Sequence, residues 1–217
     1  MVDEALLIDG VHLSHNDRVI HVSSDGPLTA LSSAVVGAEL AHTRHIINMR
    51  VKGNYMGRTP SNDLATLARE LGIAEPFVGL LTAAALKRVQ VNVQREQQAT
   101  VVSIVTIGLS HPVAAGVTPA FRMEPGTINT ILIVDAVLTP AARVNALITA
   151  TEAKTLALVE AGIRAPHGGP ASGTSTDATV IATTDRGARF EYAGPITPVG
   201  ALIGQGVRQA IQDFIGT

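Results

Sequence analysis

The order of the predicted elements constrains the fold most, because strand-like segments follow one another early and the long helices come late. β-branched runs over 100–108 and 126–137 predict strands. Two helices are predicted to begin at Thr139-Pro140 and Thr197-Pro198, where a capping threonine precedes a proline. This order favours an α+β or layered α/β sandwich over a doubly wound parallel sheet. We expect a mixed sheet of about eight or nine strands and three main helices.

Shorter segments complete this prediction. An amphipathic pattern predicts a first helix capped by Ser61 or Asn62 and ended by Gly72. The segments 111–125 and 164–177 are rich in proline or glycine and predict loops. Further strands are predicted over 5–12, 18–23, 28–33, 43–51, 77–82, 87–95, 178–183 and 189–192.

Composition excludes several classes of protein. The length of 217 residues suits one domain spanning 1–217. A net charge of −2 with 3% aromatic residues argues against a nucleic-acid partner. The absence of cysteine excludes disulfides, thiolate metal sites and cysteine nucleophiles. The N-terminus resembles no signal peptide, and no apolar run of about 18 residues occurs, so a cytoplasmic protein without a membrane span is expected.

Four segments in the second half of the chain resemble one enzyme family in sequence and order. Weaker similarity occurs over 31–33, 47–48, 78–84 and 200–204. The four segments are 126–130 (GTINT), 138–142 (LTPAA), 144–155 (VNALITATEAKT) and 172–178 (SGTSTDA). The series is similar to the adenosylcobinamide amidohydrolases, the CbiZ family.

The resemblance implies a reaction. Members hydrolyse the amide that joins aminopropanol to a propionate side chain of the corrin ring. The products are adenosylcobyric acid, which re-enters coenzyme B12 synthesis, and (R)-1-amino-2-propanol. The resemblance therefore implies a hydrolase of a linear amide that acts in corrinoid salvage.

Two positions depart from the family pattern. Ser110-His111-Pro112 stands where the family carries Asn-Ala, and Ser175 replaces a glycine with a residue that resists positive φ. These departures keep two alternatives open. The chain could be a non-catalytic corrinoid-binding or sensing protein, or a related amidohydrolase with a smaller amide substrate.

The candidate catalytic residues are Glu152, Asp177, Thr174 and Thr176. Helical spacing predicts a buried stripe with Glu152 at its margin, where partial desolvation would suit a general base. Asp177 follows three hydroxyl residues, so it either orients a nucleophile or forms an Asx turn. The stripe comprises Val144, Leu147, Ile148, Thr151, Thr155 and Leu158.

Two mechanisms of amide hydrolysis remain open at this point. In the first, Glu152 activates water and backbone N–H groups of the glycine-rich loop hold the oxyanion. In the second, Thr174 or Thr176 attacks and forms an acyl-enzyme. A variant of the second is self-cleavage before Thr127 or Thr174, which an intact mass of 22.5 kDa would exclude.

Substrate contacts are expected on the same segments and on their upstream neighbours. Small residues at Gly173 and Ser175 expose backbone N–H groups, although the loop could also be an ordinary surface loop. Asn129 is polar within an apolar strand, so it must be hydrogen-bonded and either ties strands together or holds substrate. The other predicted contact residues are Thr130, Thr149, Lys154, Asn48, Thr82, Ser32 and His111.

No resident metal or cofactor is predicted. The pairs His12/His15 and His42/His45 have a spacing that suits a metal on a helix, but both segments are predicted as non-helical. No Asp-x-His-x-x-Gly signature occurs, so the corrinoid is expected as the substrate and not as a bound cofactor.

The oligomeric state is left open by the sequence. The last predicted helix contains glycines that permit close packing, either within the fold or in a homo-oligomer. These glycines are Gly200, Gly204 and Gly206.

Overall fold

The computed structural model describes residues 2–5, 8–38, 41–53, 55, 59–120 and 126–216. Within these residues three helices are formed, α1 Pro60–Glu70, α2 Pro140–Glu160 and α3 Pro198–Gly216, with one 3₁₀ turn at Leu86–Arg88. The strands of the described residues are β1 Val2–Ala5, β2 Val11–His15, β3 Val19–Ser32, β4 Ala41–Arg50, β5 Val78–Thr82, β6 Gln90–Glu96, β7 Ala99–Ile107, β8 Pro112–Val113, β9 Ile128–Asp135, β10 Val137–Leu138, β11 Gly173–Thr174, β12 Ala178–Thr183 and β13 Arg189–Phe190.

A mixed nine-stranded sheet dominates the fold. Its main path runs β1-β2-β3-β12-β9-β7-β6, and β4 pairs with both β3 and β5. β12 lies parallel to β9 and antiparallel to β3, so a late strand is inserted between two earlier ones. The predicted mixed sheet with three helices is confirmed.

The sheet folds over on itself and forms two facing halves. One buried cluster joins residues of β4 and β5, such as Ile46 and Leu80, to residues of β7 and β9, such as Ile104 and Ile131. A second cluster lies between β7, β9 and β12 and the pair α2 and α3. A third lies between α1 and the outer face of β4 and β5. The layers therefore run helix, sheet, sheet, helix, which is the predicted layered sandwich.

Local signals placed the two long helices correctly. Thr139 caps α2, since its side chain accepts a hydrogen bond from the Ala142 N–H at 3.1 Å. Thr197 accepts from the Gly200 N–H at 3.2 Å in the same way. None of the helices in the described residues combines the length and apolar composition that crossing a membrane requires.

The predicted buried stripe of α2 is wrong. Small side chains such as Ala142, Ala146 and Ala150 face the core, whereas Val144 and Ile148 are exposed. Alanines have small side chains, so they let α2 approach α3 and the sheet closely. Of the predicted stripe, Leu158 alone is fully buried.

Several predicted strand and cap positions also differ. The segment 5–12 is not one strand, because β1 ends at Ala5 and β2 begins at Val11. The segments 18–23 and 28–33 merge into β3, whose pairing with β4 shifts register between Ser23 and Leu28. α1 begins after Thr59, with no side-chain cap from Ser61 or Asn62. Short strands β8 and β11 lie inside the two predicted loops.

Glycines of α3 pack within the fold. A Cβ at Gly200 would overlap the backbone carbonyl oxygen of Gly194, and one at Gly206 would overlap the Ser103 hydroxyl. Both glycines therefore let α3 approach neighbouring parts of the same chain. Gly204 has more room, since its nearest neighbour would be Thr149 Cγ2 at 3.9 Å.

A half-buried histidine pair on β3 and β4 predicts acid sensitivity. Burial, with neighbouring His45, lowers the pKa of His21 from 6.5 to about 4, and His21 Nε2 lies 3.0 Å from His45 Nδ1. The unfolded chain binds this proton more readily, so the free energy of unfolding should fall as pH drops from 6.5 toward about 4. After allowance for solvent screening we expect a loss of about 1–2 kcal/mol.

Urea denaturation at about pH 7 and about pH 4.5 measures this loss. His21→Gln cannot take up the proton, so its unfolding free energy should depend less on pH by that amount. An unchanged pH dependence in His21→Gln would show that other groups cause the acid sensitivity.

Candidate active site

Asp177 lies at the amino-terminal end of β12, beside the start of the parallel strand β9. Its Oδ1 accepts a hydrogen bond from the Ile128 backbone N–H at 2.9 Å and one from the Thr174 hydroxyl. Its Oδ2 accepts from the Thr174 backbone N–H at 3.1 Å and from the Lys154 ammonium. One carboxylate thus joins β9, α2 and the glycine-rich loop.

The Lys154–Asp177 ion pair is largely shielded from water. The side chains of Lys154 and Asp177 are 12% and 14% exposed. Two charges at this depth hold each other in place, and removal of either would leave the other uncompensated. Since four donors already occupy the Asp177 carboxylate, its position is strongly fixed.

The ion pair requires a glycine at position 173, because the side chains of Asp177 and Lys154 lie close to the Gly173 backbone. A Cβ at this position would overlap Asp177 Oδ2 and would lie 3.0 Å from Lys154 Nζ. No positive φ is involved, so the need for glycine here is purely steric. The predicted contact of Gly173 with substrate stays a prediction, because this steric need concerns the ion pair alone.

Two buried asparagines lie behind the ion pair, between the facing halves of the sheet. Asn129 Nδ2 donates to Asn48 Oδ1 at 2.9 Å and to the Leu81 carbonyl oxygen at 2.8 Å. Asn48 Nδ2 donates in turn to Thr106 Oγ1 at 3.0 Å. Asn129 was predicted either to tie strands together or to hold substrate, and these hydrogen bonds support the first of these two hypotheses.

Threonine hydroxyls connect the asparagines to the loop that carries Asp177. The Thr127 hydroxyl donates to the Thr176 carbonyl oxygen at 2.6 Å and lies 3.3 Å from Asn129 Oδ1. The Thr176 hydroxyl donates to the Gly126 carbonyl oxygen at 3.1 Å. We call Asn48, Thr106, Thr127, Asn129, Lys154, Thr174, Thr176 and Asp177 the Asp177 network.

Thr106 was missed by the sequence reasoning, and Thr127 was considered only as a position of self-cleavage. Thr127 lies inside the GTINT segment, so the motif itself carried a signal for it. Thr106 is a polar residue in an apolar strand, as Asn129 is, and the same burial argument would have identified it.

The segment that departs from the family pattern borders this network. β11 pairs with β8, which sets Gly173 opposite Val113 and Thr174 opposite Pro112. A Cβ at Gly126 would lie 2.8 Å from Ser110 Oγ and 3.0 Å from the His111 backbone nitrogen. His111 is half-buried at this border.

Glu152 lies apart from the network. Residues i and i+2 of a helix point about 200° apart, so a helix that turns Lys154 toward Asp177 turns Glu152 away from it. Glu152 is exposed on the outer face of α2. The expected partial desolvation of Glu152 is therefore wrong, and its role in catalysis stays a prediction without that support.

Other predicted contact residues have local partners outside the network. The Thr149 hydroxyl donates to the Ala193 carbonyl oxygen at 2.8 Å, and Ser32 donates to the Gly37 carbonyl oxygen at 2.6 Å. Thr82 accepts from the Ala84 N–H at 3.0 Å. Thr130 is buried in β9, and Ser175 is half-buried in the loop before Asp177.

The two histidines of each His-x-x-His pair do not point toward a common metal ion. His12 and His15 lie on β2, and His42 and His45 lie on β4, so each i, i+3 pair points to opposite faces of its strand. His42 Nδ1 instead lies 3.2 Å from the Thr29 hydroxyl oxygen.

A second ion pair, between the buried Arg143 and the exposed Asp185 at the other end of β12, was not predicted. Asp185 has a φ of 53°, in the left-handed region. Its carboxylate accepts from Arg143 Nη2 at 2.8 Å, from the Thr183 hydroxyl at 2.7 Å and from the Thr29 hydroxyl at 2.5 Å. This group fastens α2 to β3 and β12, because the three donors come from these elements.

Known proteins are similar to this chain in sequence and in fold. The family model described as adenosylcobinamide amidohydrolase matches residues 5–216. A protein of Methanosarcina mazei named adenosylcobinamide amidohydrolase is 34% identical over 137 residues, which are 63% of this chain and 63% of the relative. The match thus spans less than two thirds of that relative's length.

A solved structure supports the fold alone. The crystal structure of the PH0078 protein from Pyrococcus horikoshii OT3 is similar with a TM-score of 0.53 at 14% identity, covering 90% of this chain and 76% of that one. The family match covers nearly the whole described chain, including every segment of the Asp177 network. The chain belongs to the adenosylcobinamide amidohydrolase family.

Proposed function

We propose that this chain hydrolyses the aminopropanol amide of adenosylcobinamide, releasing adenosylcobyric acid and (R)-1-amino-2-propanol for corrinoid salvage. The observation that supports this most is the convergence of three family segments on one carboxylate. Ile128, Lys154 and Thr174 come from separate segments, and each donates to Asp177.

The Thr174 hydroxyl and Asp177 have the arrangement of a nucleophile and its base. The Thr174 O–H donates to Asp177 Oδ1, so attack of the oxygen on the amide carbon can pass the proton to the carboxylate. The proton then moves to the nitrogen of the departing aminopropanol. Water hydrolyses the resulting threonyl ester and regenerates the hydroxyl. Lys154 has three N–H donors, so it can hold Asp177 and also donate to the developing oxyanion.

Water as the direct nucleophile is the second mechanism. Backbone N–H groups of the loop at 173–176 would then hold the oxyanion. The outward position of Glu152 argues against Glu152 as the base in this mechanism. Only the amide-bearing side chain of the substrate has to reach Asp177, so the bulk of the corrin ring can remain at the surface.

Incubation of the purified chain with adenosylcobinamide tests the proposed function. We expect adenosylcobyric acid and one equivalent of aminopropanol, measured by liquid chromatography and mass spectrometry. Corrinoid binding without either product would overturn the proposal in favour of a corrinoid-binding or sensing protein. Turnover of small aminopropanol amides without turnover of adenosylcobinamide would overturn it in favour of the smaller-substrate alternative.

Acid quenching during turnover distinguishes the two mechanisms. Attack by Thr174 predicts a mass increase on the peptide that contains it, and Thr174→Ser should retain part of the activity while Thr174→Val loses it. Direct attack by water predicts no mass increase.

A cytoplasmic location, the absence of a resident cofactor and the absence of a nucleic-acid partner remain proposals alongside this function.

A further inference from the structure

Two cations that are shielded from water lie on one face of α2. Arg143 and Lys154 are separated by about three helical turns, so their side chains point the same way. Each pairs with an aspartate that flanks β12. Asp177 precedes the strand and binds Lys154, and Asp185 follows it and binds Arg143. The two ion pairs therefore tie α2 to both ends of one strand, at points about 17 Å apart along the helix axis.

The buried surface of α2 between these cations is smooth. Alanine side chains form low ridges, so their packing resists movement of the helix along its axis only weakly. The hydroxyls of Thr149 and Thr155 donate to carbonyl oxygens at positions 193 and 172, which lie outside β12. The position of α2 along β12 therefore depends on the two ion pairs. The buried residues between the cations are Ala146, Thr149 and Ala150.

The contribution of Arg143 to stability is limited by its surroundings. Its side chain is 8% exposed, and its Nε has no hydrogen-bond partner within the part of the chain that the structure describes. The desolvation of this charge offsets much of its attraction to Asp185. Asp185 is itself exposed and accepts from the hydroxyls of Thr29 and Thr183, so it does not depend on Arg143 for partners. We therefore expect that loss of Arg143 costs little stability.

We propose that Arg143 is a positioning residue for the reaction at Asp177. The inference rests on the proposed function, in which Lys154 holds Asp177 and donates to the developing oxyanion. Arg143 Nη2 lies 3.0 Å from the Thr183 hydroxyl oxygen and 2.8 Å from the Asp185 carboxylate, which fixes α2 along β12. This contact sets the place of Lys154 Nζ relative to Asp177. A misplacement of about 1 Å costs about 100-fold in rate when a reacting group is involved.

Steady-state kinetics of Arg143→Met tests the proposal, because methionine fills the buried volume without a charge. We expect kcat for adenosylcobinamide to fall at least about ten-fold while KM stays within about two-fold. The melting temperature should stay within about 5 °C of the wild type. Arg143→Lys keeps the charge and should recover part of kcat. Arg186→Gln is the matched control, since it removes a neighbouring surface cation that pairs with Asp135, and it should leave kcat unchanged.

A double-mutant cycle shows whether Arg143 acts through Lys154. Lys154→Met removes the group that Arg143 is proposed to position. The double variant Arg143→Met/Lys154→Met should therefore have the same kcat as Lys154→Met, within about two-fold. Losses that multiply in the double variant would show that the two residues act independently and would overturn the proposal.

Crystal structures of the wild type and of Arg143→Met supply a readout that needs no turnover. We expect α2 to shift along β12 and Lys154 Nζ to move by about 1 Å or more relative to Asp177. An unmoved Lys154, or full kcat in folded Arg143→Met, would overturn the proposal. A displaced Lys154 together with a wild type that does not hydrolyse adenosylcobinamide would overturn the proposed function and leave the coupling of Arg143 to Lys154 in place.

Discussion

Replacement of Asp177 by asparagine should lower the rate of adenosylcobinamide hydrolysis by at least about 100-fold. The carboxylate accepts from Lys154, from Ile128 and twice from Thr174. The asparagine amide supplies one acceptor oxygen. Its NH₂ group is itself a donor, so it cannot accept hydrogen bonds from these groups. The Thr174 hydroxyl would lose its base, and the Lys154 ammonium would lose its counter-charge.

The same change should also reduce stability. A shielded lysine left without its partner costs about 3 kcal/mol or more, so turnover has to be measured well below the melting temperature and corrected for the folded fraction. Glu191→Gln is the matched control, because Glu191 pairs with Arg189 on the surface. It should change the unfolding free energy by less than about 0.5 kcal/mol and leave turnover unaltered. A folded Asp177→Asn enzyme with nearly full turnover would exclude the Asp177 network as the active site.

Alanine at two glycines of α3 should have opposite effects on stability. At position 200 the added Cβ meets the backbone oxygens of Gly194 and Ala193, which cannot rotate away. We expect Gly200→Ala to lower the free energy of unfolding by about 3 kcal/mol. At position 204 the Cβ would make an ordinary contact at 3.9 Å with Thr149 Cγ2. Gly204→Ala should therefore raise the free energy of unfolding by about 0.5–1 kcal/mol.

Urea denaturation of both variants beside the wild type measures this difference. The two substitutions are chemically identical and four residues apart on one helix, so each controls for the effect of alanine on helix propensity. Destabilisation by both would show that α3 is strained along its length. Stabilisation by both would show that the turn at 193–194 moves freely.

Local signals made the helices predictable. Thr139 and Thr197 cap α2 and α3 through bonds that span three residues, so nothing distant was needed to locate them. The face of α2 that is buried was not predictable in the same way. Hydrophobicity predicted that Val144 and Ile148 would face the core. The close spacing between α2 and its neighbours instead requires alanines on the buried face.

The candidate site was predictable in its parts and not in its assembly. Asn129 had to be hydrogen-bonded because it lies within an apolar strand. Its partner Asn48 is 81 residues away and belongs to the facing half of the sheet, which no local pattern reveals. Helix geometry sets Glu152 and Lys154 on opposite sides of α2, but only the fold shows that Lys154 is the one that faces Asp177.

The insertion of β12 has a consequence for how the chain is made. Val180 pairs with Ser32, and Ala178 pairs with Asn129, so this strand fills the gap between β3 and β9. Until residue 183 has left the ribosome, the edges of β3 and β9 have no neighbour in the gap. Pairing across about 150 residues is slow because a long loop must close first. The nascent chain therefore has two open sheet edges until β12 has been synthesised and has paired with β3 and β9.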